Sequence, residues 1–195
     1  MSLMGVAPLP DWAIPPQEGF YAGDLDRIPD LPPHTELIDG SLIFVSPQAL
    51  FHMSMISLLE HALRIAAPGK FRVRREMTVT LGPRQRPEPD LMIVKLTDKS
   101  HPDLTSYAPE DVVLVVEVIS PESRERDKKR KPSLYAEAGI PHFWQIENVE
   151  GTGVVRVFEL NPAVGLYHLT GIYHKRLELA APFPIDIDLT KIDEL

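Results

Sequence analysis

The chain reads as a mixed α/β protein with a central sheet and a helix on each side, and three observations predict this. Apolar runs with strand-like patterning recur from Phe71 to Thr170, two segments carry helical spacing, and strands and helices follow one another as hairpin, helix, three strands, helix and further strands. That order makes layers around one sheet. At 195 residues, 44% hydrophobic and 25% charged, the chain suits a single soluble domain with a real core.

Residues 1–35 are rich in proline and lack periodicity, so they are expected to form an extended arm wrapped on a domain spanning 36–195. ELIDGSLIFVS, from Glu36 to Ser46, predicts two short strands around Asp39-Gly40, a dipeptide suited to the positive φ angles of a tight hairpin. Ser46-Pro47 then leads into a helix to about Ala67. His52, Ile56, Leu59 and Leu63 share one stripe of it, and Pro68-Gly69 ends it. FRVRREMTVTL alternates, with Phe71, Val73, Met77, Val79 and Leu81 on one face and Arg72, Arg74, Glu76, Thr78 and Thr80 on the other. DLMIVK follows as a short apolar strand with Asp90 at its entrance.

VVLVVEVISPE, from Val112 to Glu122, predicts a strand buried on both faces, with Val113, Val115 and Glu117 on one and Val112, Leu114 and Val116 on the other. A helix from about Arg124 or Arg126 to Ala138 comes next, stopped by Gly139 and Pro141. HFWQIE, VVRVFEL and GLYHLT are further strands, and AAPFPIDIDLTKI is expected as a closing edge segment.

The net charge of −8 excludes a protein that coats nucleic acid nonspecifically, since such binding neutralises phosphates with Lys and Arg. A local anion site is still compatible with it. Positive charge gathers at Arg72, Arg74 and Arg75, at Arg84 and Arg86, and in RERDKKRK, where six basic residues accompany two acids. Any one cluster alone reads as a solvated face. With no cysteine there is neither a disulfide nor a thiolate metal site, which fits a reducing compartment and a cytoplasmic location. No apolar run is long enough to cross a bilayer, and the N-terminus lacks the basic-then-apolar layout of a secretion signal, so no membrane association is expected.

Glu117 is the residue that calls for an explanation. A carboxylate within an apolar strand is costly unless it is paired, protonated or metal-bound. Pairing of neighbouring strands would bring Asp90 to it, and two hard oxygen donors suit Mg²⁺ or Mn²⁺. The competing readings are an ion pair with an arginine, such as one from RVRR, and a position where the sheet already meets solvent. Asp127, Lys131 and Tyr135 fall at i, i+4 and i+8, on one face of the following helix. Because Lys131 precedes Pro132, it is expected near a helix N-terminus. His52 on its apolar stripe suits a satisfied core residue or a catalytic one.

These pieces, in order, resemble a known family. ELIDG, Ser46-Pro47 followed by His52, EPD ending at Asp90, VEVISPES from Val116, the Asp127, Lys131, Tyr135 frame and AGIPHFW are similar to the Uma-type restriction endonucleases of the PD-(D/E)XK nuclease superfamily, long known as a domain of unknown function. The resemblance implies a restriction-endonuclease-like fold with an α-β-β-β-α-β core. It also implies a metal-dependent endonuclease that hydrolyses phosphodiester bonds in DNA with Mg²⁺ or Mn²⁺, acting as a homodimer.

On that pattern Asp90, Glu117 and the main-chain carbonyl of Val118 are the metal ligands, with Glu36 and His52 as further catalytic candidates. Arg72, Arg74, Lys128 and Lys129 are candidates for nucleic-acid binding, and Asp127 and Tyr135 for support. The superfamily places a lysine two residues after the strand acid, where this chain has Ile119, so Lys131 is the replacement expected from the helix, with Lys128 behind it. A module that no longer cuts and instead binds nucleic acid or a protein is the alternative, and a hydrolase of other phosphate esters is a third.

Overall fold

In a computed structural model, the structure describes residues 10–44, 47–97, 101–121 and 123–194. A hairpin of β1 (Glu36–Ile38) and β2 (Ser41–Ile43) precedes α1 (Leu50–Ala66), β3 (Phe71–Arg75), β4 (Thr78–Val79), β5 (Leu91–Lys95), β6 (Ser106–Tyr107) and β7 (Val112–Val118). A π-helical turn, Arg126–Arg130, runs into α2 (Lys131–Glu137), followed by β8 (His142–Val149), β9 (Thr152–Asn161), β10 (Leu166–Tyr173), β11 (Arg176–Leu179) and β12 (Ile185–Asp188). The central sheet has six strands in the order β10-β9-β8-β7-β5-β3. Only β7 and β8 are parallel in it, and the helical crossover between them is the connection that a parallel pair requires.

Helix α1 covers one face. Its Met55, Ile56, Leu59 and Leu63 are fully buried against Val73, Leu91, Ile93, Leu114, Val116 and Trp144. The helix ends where Ala67 turns extended ahead of Pro68, because proline's ring disfavours helical backbone in the residue before it. On the other face Tyr135 and Ile140 pack with Met92, Val94, Val115 and Phe143. Asp39 (φ 54°) and Gly40 (φ 76°) supply the two left-handed residues of the first hairpin's turn. Val45 and Ser46, expected at the hairpin's end and the helix entry, lie outside the described residues.

Three expectations need correction. FRVRREMTVTL is not one strand: Glu76 takes a positive φ of 50°, which breaks the alternation. Phe71 and Val73 therefore pack with the α1 face, whereas Met77, Val79 and Leu81 pack with the α2 face. In β7 the alternation also slips. Ile93 pairs with Leu114 and Val94 with Val112, leaving Val113 as an extra residue, so Val113 and Leu114 both join the α1-side core. Beyond the bulge, Val115 and Glu117 share the α2 side. The closing segment is no edge of the central sheet: β11 and β12 form their own antiparallel ladder, and Leu177, Phe183, Ile185 and Ile187 cap the α1 side of the core.

Before β1, Phe20 and Ala22 pack with Leu37, and one buried guanidinium ties the stretch to the sheet. Arg86 donates to the Ala22 carbonyl (3.0 Å), to both oxygens of Asp26 (2.7 and 2.9 Å) and to Thr78 Oγ1 (2.9 Å). Replacing it orphans a carbonyl and breaks a bidentate pair, so Arg86→Met should cost about 2–4 kcal/mol in urea unfolding at neutral pH. The Arg86 hydrogen bonds hold the Asp26 carboxyl below its ordinary value of 3.8. A depressed carboxylate stabilises above its unfolded pKa, and the contribution vanishes as pH falls through the folded one. The gap between parent and variant should therefore narrow below about pH 4.

Candidate active site

The register that pairs Leu91 with Val116 places Asp90 beside Glu117 at adjoining strand ends. Both carboxylates line a cavity of about 730 Å³ together with Glu36, Glu76, Glu88, Asp127, Lys131, Arg126, His34 and His52. Six carboxylates thus face two permanent cations, and the cavity carries a negative potential.

Glu117 is 2% exposed, and its compensation comes from the helix that follows it. Lys131 Nζ lies 3.1 and 3.2 Å from its two oxygens, and the Tyr135 hydroxyl donates to Oε1 at 2.7 Å. No arginine of RVRR reaches it: Arg72 donates to the Gly69 and Phe71 carbonyls, and Arg74 to the Tyr107 hydroxyl and the Val73 carbonyl. Lys131 also lies 2.7 Å from Glu36 Oε1 and 3.4 Å from Asp127 Oδ1, with its side chain 5% exposed. One ammonium therefore serves three carboxylates.

The electrostatics follow. Burial raises the Glu117 pKa well above 4.5; Lys131 opposes this, but Asp127, Asp90 and Glu36 add to it. Burial alone would lower the Lys131 pKa, yet Glu117, Glu36 and Asp127 lift it well above 10.5, so the amine stays charged. Burial likewise raises Asp127 and Tyr135. Removing the phenol's hydrogen bond should cost about 1–3 kcal/mol, so Tyr135→Phe should unfold at lower urea than the parent, with its ring packing intact.

Asp90 is held from both sides. The Val118 amide donates to Oδ2 at 2.6 Å, and His52 Nε2 meets Oδ1 at 3.0 Å. Burial opposes charge on His52, but the Asp90 hydrogen bond and charge outweigh it and raise the imidazole above 6.5. His52 is thus a polar partner at the cavity wall, while Ile56, Leu59 and Leu63 of its stripe enter the core. Glu36 accepts from the Glu88 amide at 2.9 Å, which fixes β1 against the segment leading to Asp90.

Lys131 opens α2, as the sequence predicts, but the helix end there is not free: a π-helical turn precedes it in a helical run that begins at Arg124, and the Lys131 amide donates to the Arg126 carbonyl. Pro132 explains the turn: its ring would clash with the carbonyl four residues back in a regular α-helix, and a widened turn relieves this. Arg130, in that turn, grips Asp39 of the hairpin through Nε at 2.8 Å, so β1 and the π turn approach together and bring Glu36 to Lys131. Gln145 Nε2 donates to the Asp127 carbonyl at 3.0 Å from β8. Ile119, where the strand lysine would stand, is buried, and its amide pairs with the Ile146 carbonyl.

The four basic candidates lie away from the cavity lining. Besides Arg72 and Arg74, Lys128 pairs with Glu147, and Lys129 with Glu125 at 2.8 Å on an exposed face. Arg126 lines the cavity instead, and its Nε has no hydrogen-bond partner among the described residues. It is hidden in sequence among six basic residues. Glu88 was legible in principle, because it stands two before Asp90, at strand spacing. His34, two before Glu36, meets Glu88 at 2.6 Å; that contact raises the imidazole above 6.5.

The donor set is made of hard carboxylate oxygens in an excess of negative charge, which suits Mg²⁺ or Mn²⁺. Among the described residues, no three His, Asp or Glu side chains form a group able to hold a metal on their own. Asp90, Glu117 and the Val118 carbonyl would make a partial shell, and Mg²⁺ keeps several waters in such sites.

The sequence matches the Uma2 family, described as "Putative restriction endonuclease", over residues 22–191. The chain belongs to the Uma2 family. Its fold is also that of a solved structure: a "putative nuclease belonging to DUF820" from Anabaena variabilis ATCC 29413 superposes with a TM-score of 0.65 at 15% identity. The likeness covers 90% of this chain and 98% of that one, so the restriction-endonuclease-like fold extends over nearly all of this Uma2 protein. No curated protein matches the chain. No helix among the described residues is long and apolar enough to cross a membrane.

Proposed function

We propose that this Uma2 protein is a divalent-metal-dependent endonuclease that hydrolyses phosphodiester bonds in DNA. The observation that carries the reading is the placement of Asp90 and Glu117 at adjoining strand ends, facing one acid-lined cavity with a lysine beside them. An acid-lined cavity repels phosphate unless a cation intervenes, so the same charge that argues for a metal argues against a metal-free phosphate site.

Asp90, Glu117 and the Val118 carbonyl would hold Mg²⁺ or Mn²⁺ in this reading, and a bound ion would supply positive charge for a phosphate and lower the pKa of a water. His52 and the Val118 amide orient Asp90. Lys131 supplies a cation for the water or for charge developing on the phosphate, in place of the strand lysine that Ile119 replaces. Glu36, with Asp127 and Tyr135, keeps Lys131 and Glu117 in register. Arg126 meets a phosphate at the cavity, while Lys128, Lys129, Arg72 and Arg74 offer outlying contacts to the DNA backbone. Two-strand cleavage calls for a homodimer, and a cytoplasmic protein of this kind meets DNA directly.

The test is a cleavage assay with Mg²⁺ or Mn²⁺ on supercoiled, linear and single-stranded DNA, with and without EDTA. Cutting that stops with EDTA and in Asp90→Ala supports the reading; equal cutting by parent and variant removes it. A second reading, a module that binds without cutting, draws on the completeness of Glu117's protein partners and on Ile119. It predicts that Glu117→Gln leaves Mn²⁺ binding unchanged in calorimetry.

A further inference from the structure

We infer that Lys131 is a resident counter-ion, which occupies the carboxylate cluster in the metal-free protein and is displaced from Glu117 when a divalent cation enters. The inference rests on the metal-site reading above and adds to it a competition between two cations for the carboxylate of Glu117.

Lys131 Nζ touches Glu36 (2.7 Å), both oxygens of Glu117 (3.1 and 3.2 Å) and Asp127 (3.4 Å), a shell of carboxylates around a positive charge. Of these three acids, Glu117 is also a ligand in the metal-site reading, so the ammonium and a divalent ion would meet at its carboxylate. The side chain lines the cavity yet is only 5% exposed, because the three carboxylates surround its ammonium. An unoccupied cluster of four acids, Glu36, Asp90, Glu117 and Asp127, would repel itself, so an internal cation is what lets it fold without metal. Lysine suits the task better than arginine: its compact charge on a flexible stem can withdraw without breaking a bidentate fork.

The π turn gives the withdrawal somewhere to happen. It sits immediately before Lys131, and π turns interrupt the regular bonding of a helix. Asp127, inside that turn, has one buried oxygen without a hydrogen-bond partner among the described residues, 3.4 Å from the amine, so together with Glu36 at 2.7 Å it can retain the amine once Glu117 turns to the ion. Displaced toward Asp127 and the cavity, the ammonium reaches the position from which it faces a phosphate. Entry of the metal then both builds the site and releases the lysine into it.

Calorimetry with MnCl₂ on the parent, Lys131→Met and Glu117→Gln tests this. Removing a unit charge a few ångströms from the ion should tighten Mn²⁺ binding about tenfold or more in Lys131→Met, while Glu117→Gln loses it. If Lys131→Met binds no more tightly than the parent and Glu117→Gln still abolishes binding, the counter-ion inference falls and the metal site stands. If neither the parent nor Lys131→Met binds Mn²⁺, both fall. Should Lys131→Met fail to fold, NMR of the parent labelled with ¹³Cε-lysine and titrated with MgCl₂ decides: the Lys131 signal should move saturably, and a stationary signal at saturating Mg²⁺ overturns the inference.

Discussion

Glu117→Gln should abolish DNA cleavage, by about 10³-fold or more, while leaving the protein as stable as the parent or more so. The two halves of this result have separate causes. Glutamine keeps the shape of the side chain, and its carbonyl, at the position of Oε1, still accepts from the Tyr135 hydroxyl and the Lys131 amine. What disappears is a negative charge buried beside Asp127, Asp90 and Glu36, all of which disfavour it. Removing a charge held against desolvation relieves the fold, whereas a metal loses an anionic ligand. Parallel urea unfolding and plasmid-nicking measurements check both. A variant that lost activity only because it unfolded would fail the first half.

Lys131→Met should act in the opposite way on stability. In the metal-free protein it removes the ammonium that touches Glu36, Glu117 and Asp127, and stranding buried carboxylates costs about 3–5 kcal/mol. Cleavage should fall with it. Combining Lys131→Met with Glu117→Gln should recover part of the loss, because the second change removes the charge that the first leaves unpaired. A coupling of about 1–3 kcal/mol in the double-mutant cycle is expected from groups in direct contact. Additive effects would mean that the amine and the carboxylate do not depend on each other.

The same two residues mark how far the sequence could be read. Glu117 announced itself because an acid in VVLVVEV must be compensated, and the pairing of the Asp90 strand with the Glu117 strand followed from their adjacency in the chain. The identity of the compensating group did not follow. A lysine fourteen positions on, in a run of six basic residues, looks like any solvated helix charge until the crossover helix is laid over β7. Helical spacing did put Asp127, Lys131 and Tyr135 on one face, and all three point to the same acids.

Elsewhere the patterns misled for local reasons. FRVRREMTVTL alternates except at Arg75, which falls on the apolar face, and the break comes at the next residue: Glu76 adopts a left-handed backbone that no propensity for glutamate foretells, and the strand's two halves serve opposite layers. Val113 is a valine among valines, so the bulge that shifts it is invisible in composition. Clustering of positive charge also said nothing of partners: Arg86 is buried as a structural clamp, Lys128 is paired with Glu147, and the guanidinium that reaches the cavity is Arg126.

Diffraction from crystals soaked in MnCl₂, with anomalous differences collected for manganese, tests the central claim most directly. An anomalous peak is expected between Asp90, Glu117 and the Val118 carbonyl, with the Lys131 amine withdrawn from Glu117. A cavity without manganese at saturating salt, with Lys131 still bound to both oxygens of Glu117, would contradict it.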